Sequence, residues 1–212
     1  MNKHLTIYTH AGHDVVLEKT LPRFREEFDF VEVVSPIWPE DHVSRFATHR
    51  THLSEHDGSE SIHRARAGVL RAALHPVQFR EYWFIEGDTV MLQPPSKSGP
   101  YSVPMVRAVL KEDEQPSGLI SPYYHPPWVI PGTLLPILLP FINLTDGGGH
   151  QDRWFSEVFR LARVLVFDQP EFFSQNYLNH DNHQALREAK ANSNLSFVHG
   201  VKNLRDLEIC FE

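Results

Sequence analysis

Short apolar runs alternate along the chain with longer stretches whose apolar residues recur at helical spacing. Leu5-Thr-Ile-Tyr8 is a β-type run that opens into Thr9-His-Ala-Gly12. Val15, Val16, Leu21, Phe24 and Phe28 then predict a helix, with Pro22 as a break inside it. Phe30-Val-Glu-Val-Val34 reads as a second strand closed by Ser35-Pro36. From Trp38 to Ser61 polar residues dominate and neither period is sustained, so this stretch reads as a long connection, a kind of segment that is more often functional than idle. Ile62, Ala65, Val69, Ala72 and Ala73 predict a helix that stops before Pro76. Tyr82-Trp-Phe-Ile85 is continuously apolar, as expected of a strand covered on both faces. Strand, helix, strand, helix, strand is the order of an α/β unit.

The second half is less regular. Tyr101 to Leu110 and Gly118 to Ser121 read as short strands, and the apolar run Trp128 to Leu144, punctuated by Pro131, Pro136 and Pro140, reads as core. Tyr123, Tyr124, His125 and Trp128 offer aromatic faces that could stack on sugar rings or bases. Thr145-Asp-Gly-Gly-Gly149 is a turn leading into a helix over His150 to Arg163, with Trp154, Phe155, Val158, Phe159 and Ala162 on one face. Val164-Leu-Val-Phe167 and Leu195 to His199 read as late strands. Neither an internal repeat nor a low-complexity tract interrupts the pattern.

With 212 residues, a single folded domain buries roughly 70% of the surface exposed by its unfolded chain, so no disulfide or metal is required merely to hold it together. Twenty Lys and Arg against 27 Asp and Glu give a net charge of −7, and no basic block tracks a phosphate backbone, which disfavours non-specific nucleic-acid binding. The single cysteine, Cys210, has no internal partner, and the N-terminus lacks a basic-then-apolar leader, so a cytoplasmic location is expected. The run Trp128 to Leu144 falls short of the roughly 20 residues that cross a bilayer, so no transmembrane segment is expected. Fourteen histidines is a high count and calls for weighing them as ligands.

The strongest chemical signal is Tyr82-Trp-Phe-Ile-Glu-Gly-Asp-Thr-Val-Met-Leu92, in which a buried strand delivers Glu86 and Asp88 to its C-terminal end with Gly87 between them. Ligands of open α/β sheets bind at that edge. Side chains two apart on an extended strand point the same way, and a glycine lets a ligand approach the backbone. A hard divalent cation with diphosphate oxygens in its other positions suits such a pair; a solvated acidic turn is the plainer alternative. A competing pattern, His52-Leu-Ser-Glu-His56, matches the His-x-x-Glu-His zinc motif, in which His52 and His56 would bind zinc and Glu55 would activate water. That motif needs an amphipathic helix, and the polar segment around it does not predict one.

The chain resembles GT-A fold glycosyltransferases, whose nucleotide-sugar domain carries an Asp-x-Asp motif at the end of a central strand. The helix Ser61 to Ala73 is similar to the Arg-containing helix that precedes this motif in the large inverting family of cellulose and chitin synthases. His150-Gln-Asp-Arg-Trp-Phe-Ser156 is similar to the acidic motif that opens the helix of that family's catalytic base, and Phe197-Val-His-Gly-Val-Lys202 is similar to the C-terminal histidine and lysine of several GT-A enzymes. The resemblance implies one Rossmann-like α/β domain, with a mixed, mostly parallel sheet and helices on both faces. Residues 1–95 would form the nucleotide-binding half, and residues 96–212 the acceptor side with a C-terminal metal-binding segment. It further implies Mn2+ or Mg2+ held by Asp88 and His199 with Glu86 at the first acidic place, where the family usually has Asp. Thr9, His10, Ala11 and Gly12 would border the nucleobase, Arg64 or Arg66 would reach the uracil or diphosphate, and Lys202 would steady the leaving phosphate. Asp152 would be the general base, Gln151 standing where many relatives have an acid. The implied reaction moves a sugar from a nucleoside-diphosphate donor to a hydroxyl acceptor, a saccharide more readily than a nucleic acid given the acidic balance. A non-catalytic nucleotide-sugar binding module is the alternative.

Overall fold

A computed structural model describes residues 2–9, 12–35, 49–52, 61–94, 106–107, 124–125, 127–145, 151–164, 174–176, 186–187, 191, 196–201 and 203–212. In chain order its elements are β1 (Lys3–Tyr8), α1 (Asp14–Glu27), β2 (Phe30–Ser35), β3 (His49–His52), α2 (Ser61–Ala73), β4 (Glu81–Glu86) and β5 (Val90–Met91). There follow β6 (Val106–Arg107), β7 (Tyr124–His125), β8 (Trp128–Pro131), α3 (Leu135–Leu138) running into a 3-10 turn, α4 (Gln151–Leu161), β9 (Ser174–Asn176), β10 (Phe197–His199) and α5 (Leu204–Phe211).

The fold is mixed α/β. The main sheet has the order β3-β2-β1-β4-β8, with the first four strands parallel and β8 antiparallel to β4. The sequence 3-2-1-4 is that of the first part of a doubly wound sheet, in which ligands sit outside the carboxyl ends of the strands. Alternation along the central strands feeds two cores. Tyr82 and Phe84 of β4 pack with α2 and α4 on one face, while Trp83 and Ile85 pack with α1 on the other. Helices therefore cover both faces, which is why β4 reads as an unbroken apolar run. A second, three-stranded sheet of order β5-β10-β9 sits beside the main one, and α5 caps a smaller core around Val90, Val198 and Val201.

Pro22 does not break α1, contrary to the expectation from the sequence. Proline in a helix interior costs about 3 kcal/mol, but burial of Leu17, Leu21 and Phe24 against the sheet returns about 1.5–3 kcal/mol for each side chain. The stretch read as one long connection contains β3, an edge strand paired in parallel with β2. The strand expected from Val164 does not begin there. Arg163 takes a left-handed φ of 55°, and the Val164 N–H donates to the Phe159 carbonyl while that of Arg163 donates to Arg160. These bonds close α4 in a Schellman motif, with Val164 as its apolar contact. Residues 165–167 and 118–121, also expected as strands, lie outside the described residues, and of the expected strand over residues 101–110 only Val106–Arg107 is described.

Helix α2 lies close on β1. A Cβ at Gly68 would sit 2.8 Å from Thr6 Cγ2, so the glycine allows the close approach that brings Arg64 of the same helix to the end of β4. Helix α4 is fixed by aromatic packing. Trp128 is fully buried with its ring centroid 3.8 Å from that of Phe155 and 6.0 Å from that of Tyr8, while the Trp154 indole N–H donates to the Ile142 carbonyl at 3.0 Å. Trp128 is thus a core residue and not a stacking platform for a ligand. Trp128→Ala is expected to lower stability by about 3–5 kcal/mol, read as a shift of the urea midpoint at constant slope.

Candidate functional site

Strand β4 ends beside β1 with Glu86 in register with Tyr8, and the Gly87 N–H donates to the Tyr8 carbonyl at 3.1 Å. The Thr89 N–H then donates to the Glu86 carbonyl at 3.1 Å, closing a tight turn that carries Asp88. Gly87 is required by crowding: a Cβ there would overlap Thr9 Oγ1 and lie 2.7 Å from Thr9 Cβ and 2.8 Å from His13 Nδ1.

The far end of the chain is pinned to this turn. β10 pairs antiparallel with β5, the Leu92 N–H donates to the Ser196 carbonyl at 2.8 Å, and the Val201 N–H donates to the Asp88 carbonyl at 3.0 Å. This register delivers His199 between the two carboxylates, with Nε2 3.0 Å from Glu86 Oε2 and Nδ1 3.0 Å from Asp88 Oδ1. Asp88 and His199 are buried and Glu86 is partly buried. Burial disfavours the charged form of all three groups, yet their mutual attraction prevails. Asp88 and then Glu86 raise the pKa of His199 well above its ordinary value. Against the opposing effect of burial, His199, with a smaller contribution from His13, holds Asp88 down to about 2. Glu86 is also lowered, by His199 and by a hydrogen bond from Gln151, although burial and Asp88 both oppose this. The metal-free cluster is therefore an imidazolium between two carboxylates.

Three further groups surround the cluster. Gln151 opens α4 and is buried, with its side chain hydrogen-bonded to Glu86. Arg64, buried on α2, lies within electrostatic reach of Glu86 and Tyr8; burial lowers its pKa and both neighbours oppose that. Thr9 Oγ1 and His13 Nδ1 are hydrogen-bonded at 3.1 Å at the end of β1 and the start of α1.

Of the residues expected from the sequence, Glu86, Asp88, His199, Arg64 and Thr9 converge. Gly12 is exposed with a φ of +98°. Arg66, two positions beyond Arg64, turns away: its guanidinium donates to the Thr145 carbonyl at 2.9 Å and lies 5.7 Å from the Trp154 ring centroid. The backbone of Asp152 is in the first turn of α4, next to Gln151; its side chain, like His10, Ala11 and Lys202, lies outside the described residues. His52 ends the strand β3, so the zinc motif does not start on a helix, and Glu55 and His56 are outside the described residues. His13 was not singled out by the sequence; its place just before the helix that follows β1, at the binding edge of the sheet, was the available signal.

Among the described residues, Glu86, Asp88 and His199 form the group able to hold a metal ion, with one ligand atom from each lying within 4.8 Å of the others. Two carboxylates and one imidazole, with Gln151 as an outer hydrogen-bonding group, fit manganese or magnesium, whose other positions would be left for ligand oxygens or water. Binding would displace the proton of His199. The chain matches no protein-family model and no curated protein sequence.

In chelator, the stability advantage of wild type over His199→Gln should depend on pH. The raised pKa of His199 contributes fully below its unfolded value of 6.5 and is lost as pH rises beyond it. The lowered pKa of Asp88 contributes above 3.8 and is lost as pH falls towards about 2. Thermal unfolding across this range should place the largest advantage between those unfolded values. An advantage unchanged from pH 5 to 9 would contradict the imidazolium assignment.

Proposed function

We propose that the protein is a metal-dependent glycosyltransferase that moves a sugar from a nucleoside-diphosphate donor to a hydroxyl acceptor, with inversion at the anomeric carbon. The observation that carries this reading is the convergence of Glu86, Asp88 and His199 at the carboxyl edge of the central strand, with the N-terminus of α4 held against them through Gln151. Two carboxylates two residues apart and an imidazole more than a hundred residues further on, chemically matched to one divalent cation, meet where an open α/β sheet binds its ligand.

Asp88 and His199, with Glu86, would hold the manganese or magnesium ion, which supplies positive charge that stabilises a departing diphosphate. Arg64, a permanent cation on the same edge, adds to that stabilisation. Lys202, three residues beyond His199, is the proposed partner of the leaving phosphate. Thr9 and the loop through Gly12 would border the nucleobase. Asp152, in the first turn of α4, takes the proton from the acceptor hydroxyl; the helix dipole favours its ionised form there. A base on this helix is the reason to prefer inversion. A saccharide is the preferred acceptor, since a nucleic acid would require a basic patch to offset the net charge of −7.

The test is release of nucleoside diphosphate from a panel of nucleotide sugars with Mn2+, with and without hydroxyl acceptors. Asp152→Asn should lower turnover roughly 10²–10⁴-fold while retaining donor binding, and Asp88→Asn should weaken Mn2+ binding at least about 10-fold. Donor binding without release for any acceptor would instead mark a binding module.

A further inference from the structure

Gln151 carries a feature that the metal group does not account for. The residue is 7% exposed, and its Oε1 is buried without a hydrogen-bond partner among the described residues. The other end of the amide is occupied: the side chain hydrogen-bonds to Glu86, and an ionised carboxylate can only accept, so Nε2 must be the donor. This fixes the orientation of the amide and leaves its carbonyl as a buried acceptor. Buried acceptors are rarely left unpaired in native folds, and an exception beside a candidate ligand site suits a donor on a bound molecule.

Charge explains why an amide suits this place. A carboxylate at residue 151 would add a third negative group beside Glu86 and Asp88 and could not donate to Glu86. Glutamine provides an acceptor oxygen at the same place while remaining neutral and holding Glu86. What it can recognise is an O–H or N–H group on a molecule seated against the metal ligands. On a nucleotide sugar, the groups of that kind next to the diphosphate are the hydroxyls of the transferred sugar.

We propose that Gln151 reads the donor sugar, its carbonyl accepting a hydrogen bond from one sugar hydroxyl while its amide nitrogen holds Glu86. This rests on the glycosyltransferase reading and extends it to the sugar itself.

The test is calorimetric titration at saturating Mn2+ with a panel of nucleoside diphosphates and their hexose and pentose conjugates, then with monodeoxy versions of the conjugate that binds best. Gln151→Met, of similar length but unable to make either bond, should weaken the sugar conjugate roughly three- to tenfold beyond whatever it costs Mn2+ alone or the bare nucleoside diphosphate through the lost hold on Glu86. One deoxy conjugate should lose no more on Gln151→Met than the bare nucleoside diphosphate does, which identifies the hydroxyl. Equal losses for Mn2+, bare nucleotide and conjugate would make Gln151 a positioning residue for Glu86 and overturn the proposal, as would no loss at all. If Gln151→Met does not fold, the deoxy series on wild type decides: no deoxy position weakening binding overturns the proposal. A wild-type protein that binds no member of the panel removes the glycosyltransferase reading and this proposal together, whereas binding that is insensitive to residue 151 removes the proposal alone.

Discussion

Two carboxylates brought side by side at the end of a buried strand lose solvent and repel one another, and the surrounding arrangement answers that cost. At an effective dielectric of about 20, like unit charges about 4 Å apart repel by about 4 kcal/mol, comparable with much of the net stability of a small domain. His199 supplies the counter-charge from between them, Arg64 adds another from α2, and Gln151 contributes a hydrogen bond without adding charge. A divalent cation at the same place would take over the role of the imidazolium proton. The acidic pair is thus tolerable only in company, and the elements that bring the company are those that complete the cluster.

The geometry that gathers these groups follows from the sheet. Parallel strands β1, β2 and β4 all end at one edge, so the loop after β1, the start of α1 and the turn after β4 are neighbours by construction. The aromatic contacts of Trp128 with Phe155 set α4 against the sheet, and the small residue Gly68 lets α2 come close. Core packing on one face therefore determines how the N-terminus of α4 meets Glu86. The second sheet acts from the other side, where β10 and the Val201 N–H clamp the turn that carries Asp88.

Much of the α/β framework was legible in the sequence because burial on two faces leaves continuous apolar runs and burial on one leaves helical spacing. β4, α2 and α4 are of this kind. His49-Arg-Thr-His52 has no apolar residue, and as an edge strand it is held by backbone pairing to β2, which leaves no periodic trace. β5 and β9 are too short to show a period, and α5 follows the last expected strand so closely that its Asn203 cap, accepting from the Asp206 N–H, was its best sign. The continuity of α1 through Pro22 is a tertiary effect, since burial of its apolar face outweighs the local break. In the site, Asp88 and His199 were recognisable by their order along the chain, whereas the crowding of Gly87 against Thr9 and His13, and the half-used amide of Gln151, depend on long-range contacts that no local pattern encodes.

The separation of the acidic turn from its imidazole has a consequence for synthesis. A ribosome adds more than a hundred residues between Asp88 and His199, an interval of about 5–20 s. Throughout it Glu86 and Asp88 are present in the chain without the imidazole that neutralises them. Docking of the last strand is then both a folding step and a charge-balancing step, and a divalent cation that reached the carboxylates first would act as a temporary stand-in during translation.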